Sequence, residues 1–208
     1  MTRIVGTSID GIKEAAKLVL EGGLIGYPTD TVYGLGCNPF DADAVDRLVK
    51  AKDRSKGSLP ILVSSLKDAK RLGEISGLGS TLADIFWPGP LTLVVRPRSN
   101  FPARITGDSL LVGLRIPNHE RARRLIEECG GALIGTSANI SGHPSLRTAD
   151  EVLKELEGRV DLVVDGGPAP LGRESTVVRV LGDETTVLRV GALSLNDILK
   201  ALPVTRAS

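Results

Sequence analysis

An α/β domain built on a mixed sheet is the fold class this sequence predicts, and three observations carry that expectation. Helical patterns alternate with short apolar runs along the 208 residues,. Two runs rich in β-branched residues, 175–181 and 185–190, flank "GDET" and read as a hairpin,. No internal repeat, low-complexity tract or linker divides the chain, so residues 1–208 are expected to form one domain,.

The helices are read from periodicity and caps. Residues 9–21 put Ile12, Ala15, Ala16, Val19 and Leu20 on one face, and Gly22-Gly23 stop the run,. Residues 41–51 repeat the pattern with Ala44, Val45, Leu48 and Val49 behind an Asp41 cap,. "TADE", Thr148 to Glu151, is a capping box before Val152, Leu153 and Leu156,. "SLND" from Ser194 opens a last helix in the same way. The strand candidates are 24–27, 60–64, 91–96, 110–115, 132–135, 161–164 and the two hairpin arms.

Composition excludes several classes. The apolar share is 41% and no apolar run approaches the length of a membrane span,. The N-terminus lacks the apolar core of a signal peptide, so the cytoplasm is the expected compartment. Cys37 and Cys129 stand apart, which suggests neither a disulfide framework nor a zinc site,. A net charge of +1 argues against a broad nucleic-acid footprint,. There is no GxxxxGK[ST] loop, no GxGxxG after a strand and no GxSxG elbow. "SGLGS" at 76–80 reads as a turn. His119 and His143 lack metal-ligand spacing and read as surface or loop residues.

Five stretches are more polar than their setting requires. "LIGYPTDTVYGLG", 24–36, begins as a buried strand and then places Thr29, Asp30, Thr31 and Tyr33 between a proline and two glycines. "KAKDRSKG" puts Lys50, Lys52, Arg54 and Lys56 at alternate positions. An extended chain would set them on one face as a phosphate clamp, while a solvated helix end is the ordinary alternative. "IGTSANISGHPS", 134–145, runs from an apolar strand into small hydroxyls that can cradle an anion, or can form a plain Ser/Asn turn. "DGGPAPLGRESTVVRV", 165–180, is a long glycine- and proline-rich loop before a strand. "FWPGPLTLVV", 86–95, reads as a rigid corner with a buried Trp87 indole. Such strand ends converge into a crevice in open α/β sheets, which points to a phosphorylated small molecule.

Seven motifs then occur in a shared order: "YPTDTVYGLG", "KDR" at 52–54, "WPGPLTLVV", "VGLRIP" at 112–117, "TSANISG", "ESTVVRV" and "LRVG" at 188–191. In this the chain resembles the YrdC-like threonylcarbamoyladenylate synthases, across roughly residues 10–192. It looks like their short single-domain form. The resemblance implies a YrdC-like twisted mixed sheet with flanking helices and an open concave basic face. It implies a nucleotidyltransferase that joins L-threonine, bicarbonate or CO2 and ATP, with Mg²⁺, into threonylcarbamoyl-AMP and pyrophosphate. A downstream tRNA threonylcarbamoyl transferase complex would then pass the group to tRNA.

By position, the resemblance makes Lys52 and Arg54 the catalytic, phosphate-contacting pair. Ser137, Asn139, Ser145 and Arg189 join them at ATP, and Thr31, Arg115 and Ser175 form the L-threonine set. No protein ligand for the metal is implied. The segment after Arg54 departs from the family pattern: "SKGSLPIL" has Ser58 where proline is common and its lysine at Lys56. Leu62-Val63-Ser64 lacks the histidine some members carry there, and Asp30 replaces a frequent glutamate. Two alternatives stay open: a YrdC-like module that binds tRNA or double-stranded RNA through phosphates, and a paralogue that makes another carbamoyl adenylate. The synthase chemistry needs no protein nucleophile, because the substrate's own amine and carbamate oxygen attack in turn.

Overall fold

The computed structural model describes residues 2–54 and 57–202. Lys56, one member of the basic cluster, lies outside the described residues. The chain order is β1 (Arg3–Gly6), α1 (Ile9–Leu20), β2 (Ile25–Tyr27), β3 (Gly34–Gly36), α2 (Ala42–Ala51), β4 (Ile61–Val63), α3 (Leu66–Leu72), α4 (Gly77–Phe86), β5 (Leu91–Val95) and α5 (Ala103–Thr106). It continues through β6 (Val112–Arg115), α6 (Glu120–Glu128), β7 (Ala132–Ile134), β8 (Thr136–Ser137), α7 (Ala149–Leu156), β9 (Leu162–Asp165), β10 (Thr176–Leu181), β11 (Glu184–Arg189) and α8 (Leu195–Ala201).

The expected α/β class holds, but the strands form two mixed sheets. One runs β1-β9-β2-β3-β8 and the other β11-β10-β5-β6-β4-β7. Pro28 to Tyr33 leave β2, and the chain returns antiparallel as β3, with Tyr27 opposite Gly34. The hairpin is confirmed with a tighter turn: Leu181 faces Glu184 across Gly182-Asp183, and Gly182 has φ 62°.

Local signals placed the expected helices well. Asp41 caps α2 by accepting from the Ala44 N–H at 3.0 Å,. Thr148 and Glu151 close a reciprocal capping box on α7, and Ser194 and Asp197 do the same on α8,. The "SGLGS" reading is overturned, because residues from Gly77 onward form α4. Two glycines weaken its propensity, yet Leu82 and Ala83 are buried and hold it in place,. His119 is more than a loop residue: its Nδ1 caps α6 by accepting from the Ala122 N–H at 3.1 Å. The Trp87 indole is half-buried rather than buried, and its Nε1 donates to the Leu91 carbonyl at 2.7 Å, tying the corner to β5.

Two apolar layers hold the sheets. Ile12, Ala16 and Val19 of α1 pack with Leu125 and Ile126 of α6 over Ile25, Leu133 and Leu162. The larger cluster joins Leu35 and Leu48 to Ile61, Leu93, Leu114 and Val178. No helix among the described residues is long and apolar enough to cross a membrane.

Candidate active site

A cleft of about 260 Å³ lies on one face of the six-stranded sheet. Its floor comes from residues two apart on neighbouring strands, as the period of a strand demands: Thr92 and Val94 on β5, Gly113 and Arg115 on β6, with Pro60 and Leu62 alongside,. Gly113 keeps this floor open, since a Cβ there would lie 3.3 Å from the Thr92 methyl and 3.4 Å from the Pro60 Cβ. The walls come from the β2–β3 turn, the β7–β8 segment, Arg54, and the Glu174–Ser175 approach to β10. Among the described lining residues are three guanidiniums, of Arg54, Arg115 and Arg189, and one carboxylate, Glu174.

One end of the cleft is a buried ion pair. Arg115 and Asp30 are each 4% exposed. Arg115 Nη2 donates to Asp30 Oδ1, Nη1 donates to Thr31 Oγ1 at 2.9 Å, and Nε donates to the Gly89 carbonyl at 3.0 Å. The guanidinium is thus oriented on three sides, with part of its donor fork left for a ligand. Thr31 is oriented too. Thr29 Oγ1 gives its proton to the Val32 carbonyl at 2.6 Å, so in its 3.0 Å contact with Thr31 it must accept. The Thr31 hydroxyl proton is therefore committed, and its oxygen offers a remaining lone pair.

The other end is basic and more open. Arg54 Nη1 donates to Thr136 Oγ1 at 3.3 Å, and Nη2 donates to the Ser58 carbonyl at 3.1 Å. Arg189 donates from Nη2 to the Ser175 carbonyl at 2.9 Å and from Nη1 to Glu174 Oε2. Ser145 Oγ donates to Glu174 Oε1 at 2.8 Å, so Ser145 reaches the site through this carboxylate. The extended-clamp geometry does not occur. The chain is helical through Ala51, Lys50 is exposed, and Lys52 is the C-cap.

Lys52 is 2% exposed, and its Nζ donates to the carbonyls of Ser137 and, at 2.6 Å, Asn139. It braces the Ser-x-Asn segment from beneath. Asn139 is buried as well: its Nδ2 donates to the carbonyls of Ile140 and His143, and its Oδ1 has no partner among the described residues. Of the expected residues, then, Thr31, Arg54, Arg115, Ser137, Ser175 and Arg189 line the cleft together, while Lys52, Asn139 and Ser145 stand behind it. Thr136, one of the small hydroxyls expected in 134–145, also lines the cleft, whereas sequence reasoning missed Glu174 and Thr92 as lining residues. The only signal for them was adjacency to residues already singled out.

Burial pushes the Lys52 ammonium down to about 8, with Arg54 adding to the shift and Glu174 and Glu155 opposing it,. Between pH 8 and the ordinary lysine value of 10.5 the unfolded chain holds a proton that the folded one has released. Stability from this group therefore rises with pH across that window. A neutral amine still has two N–H donors for its two carbonyls. Denaturant melts of wild type and Lys52→Met from pH 7.5 to 10.5 should show this: the stability gap between them widens in favour of wild type as pH rises. A constant gap would show that Lys52 does not titrate there.

Comparison with known proteins finds relatives over nearly the whole chain. The family model described as "Telomere recombination" (Sua5/YciO/YrdC) matches residues 17–191. A Pyrococcus abyssi protein named threonylcarbamoyl-AMP synthase is 40% identical over 193 residues, covering 92% of this chain and 57% of its own length. A Bacillus subtilis protein of the same name is 37% identical over 204 residues, covering 95% of this chain and 58% of its own. This chain thus spans under three-fifths of those two relatives. The crystal structure of P. abyssi Sua5 complexed with L-threonine superposes with TM-score 0.91 at 39% identity, over 97% of this chain and 61% of that one. Escherichia coli YciO superposes with TM-score 0.87 at 25% identity, over 95% of this chain and all of its own.

Proposed function

Since the chain belongs to the Sua5/YciO/YrdC family, we propose that it is an L-threonylcarbamoyladenylate synthase, a nucleotidyltransferase that makes threonylcarbamoyl-AMP and pyrophosphate from L-threonine, bicarbonate or CO2 and MgATP. The observation that carries this reading is one cleft with two kinds of cation. The Arg115 fork is fixed by Asp30 and Thr31 at a buried end, which suits the carboxylate of an amino acid,. Arg54 and Arg189 lie at the wider end, which suits phosphates,.

The residues act by positioning and charge. Arg115, oriented by Thr31, holds the carboxylate of threonine; the neutral amine attacks CO2 to give a carbamate, with loss of the amine proton. A carbamate oxygen then attacks the α-phosphorus, and pyrophosphate leaves. Arg54 and Arg189 offset the charge that builds on the phosphate oxygens. Ser137 and Ser175 border the path between the two ends. Lys52 keeps Ser137 and Asn139 in place and adds its charge to the nucleotide side from behind them. Ser145 and Asn139 support the nucleotide side from behind.

The donor set bears on the metal. Among the described residues no group of three His, Cys, Asp or Glu side chains is set to hold one, and the single cleft carboxylate, Glu174, is bonded by Ser145 and Arg189. Mg²⁺ fits here as the companion of ATP, bound mainly through phosphate and water. The product would pass in the cytoplasm to a tRNA threonylcarbamoyl transferase complex, with direct contact to tRNA or double-stranded RNA a separate property.

Pyrophosphate release should be measured with ATP, Mg²⁺ and bicarbonate, with and without L-threonine. Release that depends on threonine is expected, and release indifferent to it would sink the synthase reading.

A further inference from the structure

The cleft contains a second pair of hydroxyls that the scheme above does not use fully. Thr92 is 4% exposed and Ser175 7% exposed, and their oxygens lie 2.8 Å apart. Both line the cleft. The pair has two hydroxyl protons, and only one can serve the bond between them. Arg189 Nη2 approaches Ser175 Oγ at 3.4 Å, but as a donor, so it takes up a lone pair and no proton,. Among the described residues neither hydroxyl has an acceptor for the second proton. The pair therefore presents one spare donor and spare lone pairs on a largely buried wall of the cleft, which is what another hydroxyl needs.

Its position selects which hydroxyl. Leu93 on β5 faces Leu114 on β6 in the antiparallel ladder. Thr92 and Arg115, the next residue along each strand, both project into the cleft. Side chains so placed are neighbours about 5 Å apart at Cβ. An amino acid held at Arg115 by its carboxylate carries a β-substituent two carbons away, on the same scale. Val94, Leu62 and the open Gly113 supply apolar floor beside the pair, where a methyl group can rest.

We propose that Thr92, paired with Ser175, reads the side-chain hydroxyl of a β-hydroxy amino acid and so determines which amino acid enters the reaction. This rests on the synthase reading. A ligand with a methyl or hydrogen in place of that hydroxyl leaves a buried donor unmatched, and such mismatches discriminate more sharply than a missing methylene. An ordinary cross-strand hydroxyl pair that only ties β5 to β10 would not distinguish ligands.

The test compares L-threonine with L-2-aminobutyrate, which lacks only the hydroxyl. Binding of each to the full chain is followed by calorimetry in wild type, Thr92→Val and Thr92→Ser. Valine keeps the shape of threonine without its hydroxyl; serine keeps the hydroxyl and reports on folding. Wild type should prefer threonine, and Thr92→Val should lose roughly ten- to hundredfold of that preference by weakening threonine alone. Thr92→Ser should retain it. An unchanged preference in Thr92→Val overturns the proposal. So does an equal loss for both ligands, which marks a structural role, or a wild type that does not distinguish them. Threonine-dependent pyrophosphate release by wild type is scored separately, so a synthase without this selectivity determinant is told apart from a chain that is no synthase. Failure of wild type to bind either amino acid overturns both readings.

Discussion

Arg115→Met is expected to abolish threonine binding and to cost about 3–5 kcal/mol of stability, because it leaves Asp30 as an uncompensated buried charge. Asp30 is 4% exposed, its Oδ1 accepts from Arg115, and its Oδ2 has no partner among the described residues. Loss of the guanidinium also releases the Thr31 hydroxyl and the Gly89 carbonyl, both of which it now fixes. The two effects separate in the double variant. Asp30→Asn with Arg115→Met removes the stranded charge and should regain a substantial part of the lost stability, measured by denaturant unfolding. Threonine binding, followed by calorimetry, should stay absent in both. Wild-type binding in either variant would show that the substrate carboxylate is held elsewhere.

Arg54→Ala should act in the opposite manner, with a large kinetic effect and a small structural one. Arg54 stands at the wider end of the cleft, beside Thr136 and near Arg189 and Glu174. Its described hydrogen bonds go to the Thr136 hydroxyl and the Ser58 carbonyl. Removing a cation aimed at charge that develops in the transition state costs on the order of 10²–10³ in kcat. Pyrophosphate release should fall by that factor while the unfolding midpoint moves little. Turnover close to that of wild type would remove Arg54 from the phosphate end.

Much of the fold was legible before any coordinates, and the reason is locality. The caps at Asp41, Thr148 and Ser194 involve side chains within three residues of the N–H groups they satisfy. The hairpin at 176–189 is written in the same way, by a two-residue turn between β-branched runs,. The misses have the complementary cause. α4 contains two glycines and exists because its apolar face is covered by the six-stranded sheet. β1 is an exposed edge strand whose partner, β9, lies far along the chain.

The site divides along the same line. The sequence by itself determined the kinds of group available: the polar turn at 28–33, the basic pair at 52 and 54, the hydroxyls at 136–145 and the arginines at 115 and 189. It also supported the family resemblance, which lies in the order of the motifs. Only the tertiary structure decided which of these groups face the ligand. Lys52 and Arg54 are two residues apart, yet one is buried under the Ser-x-Asn segment and the other lines the cleft. α2 ends at Ala51 with Lys52 as its C-cap, and between Lys52 and Arg54 the backbone passes through a left-handed Asp53 at φ 50°. Asp30 and Arg115 find each other across 85 residues of chain, and Thr92 and Ser175 across 83. Direction and pairing depend on strand register and on the burial that register creates, and no local pattern encodes either.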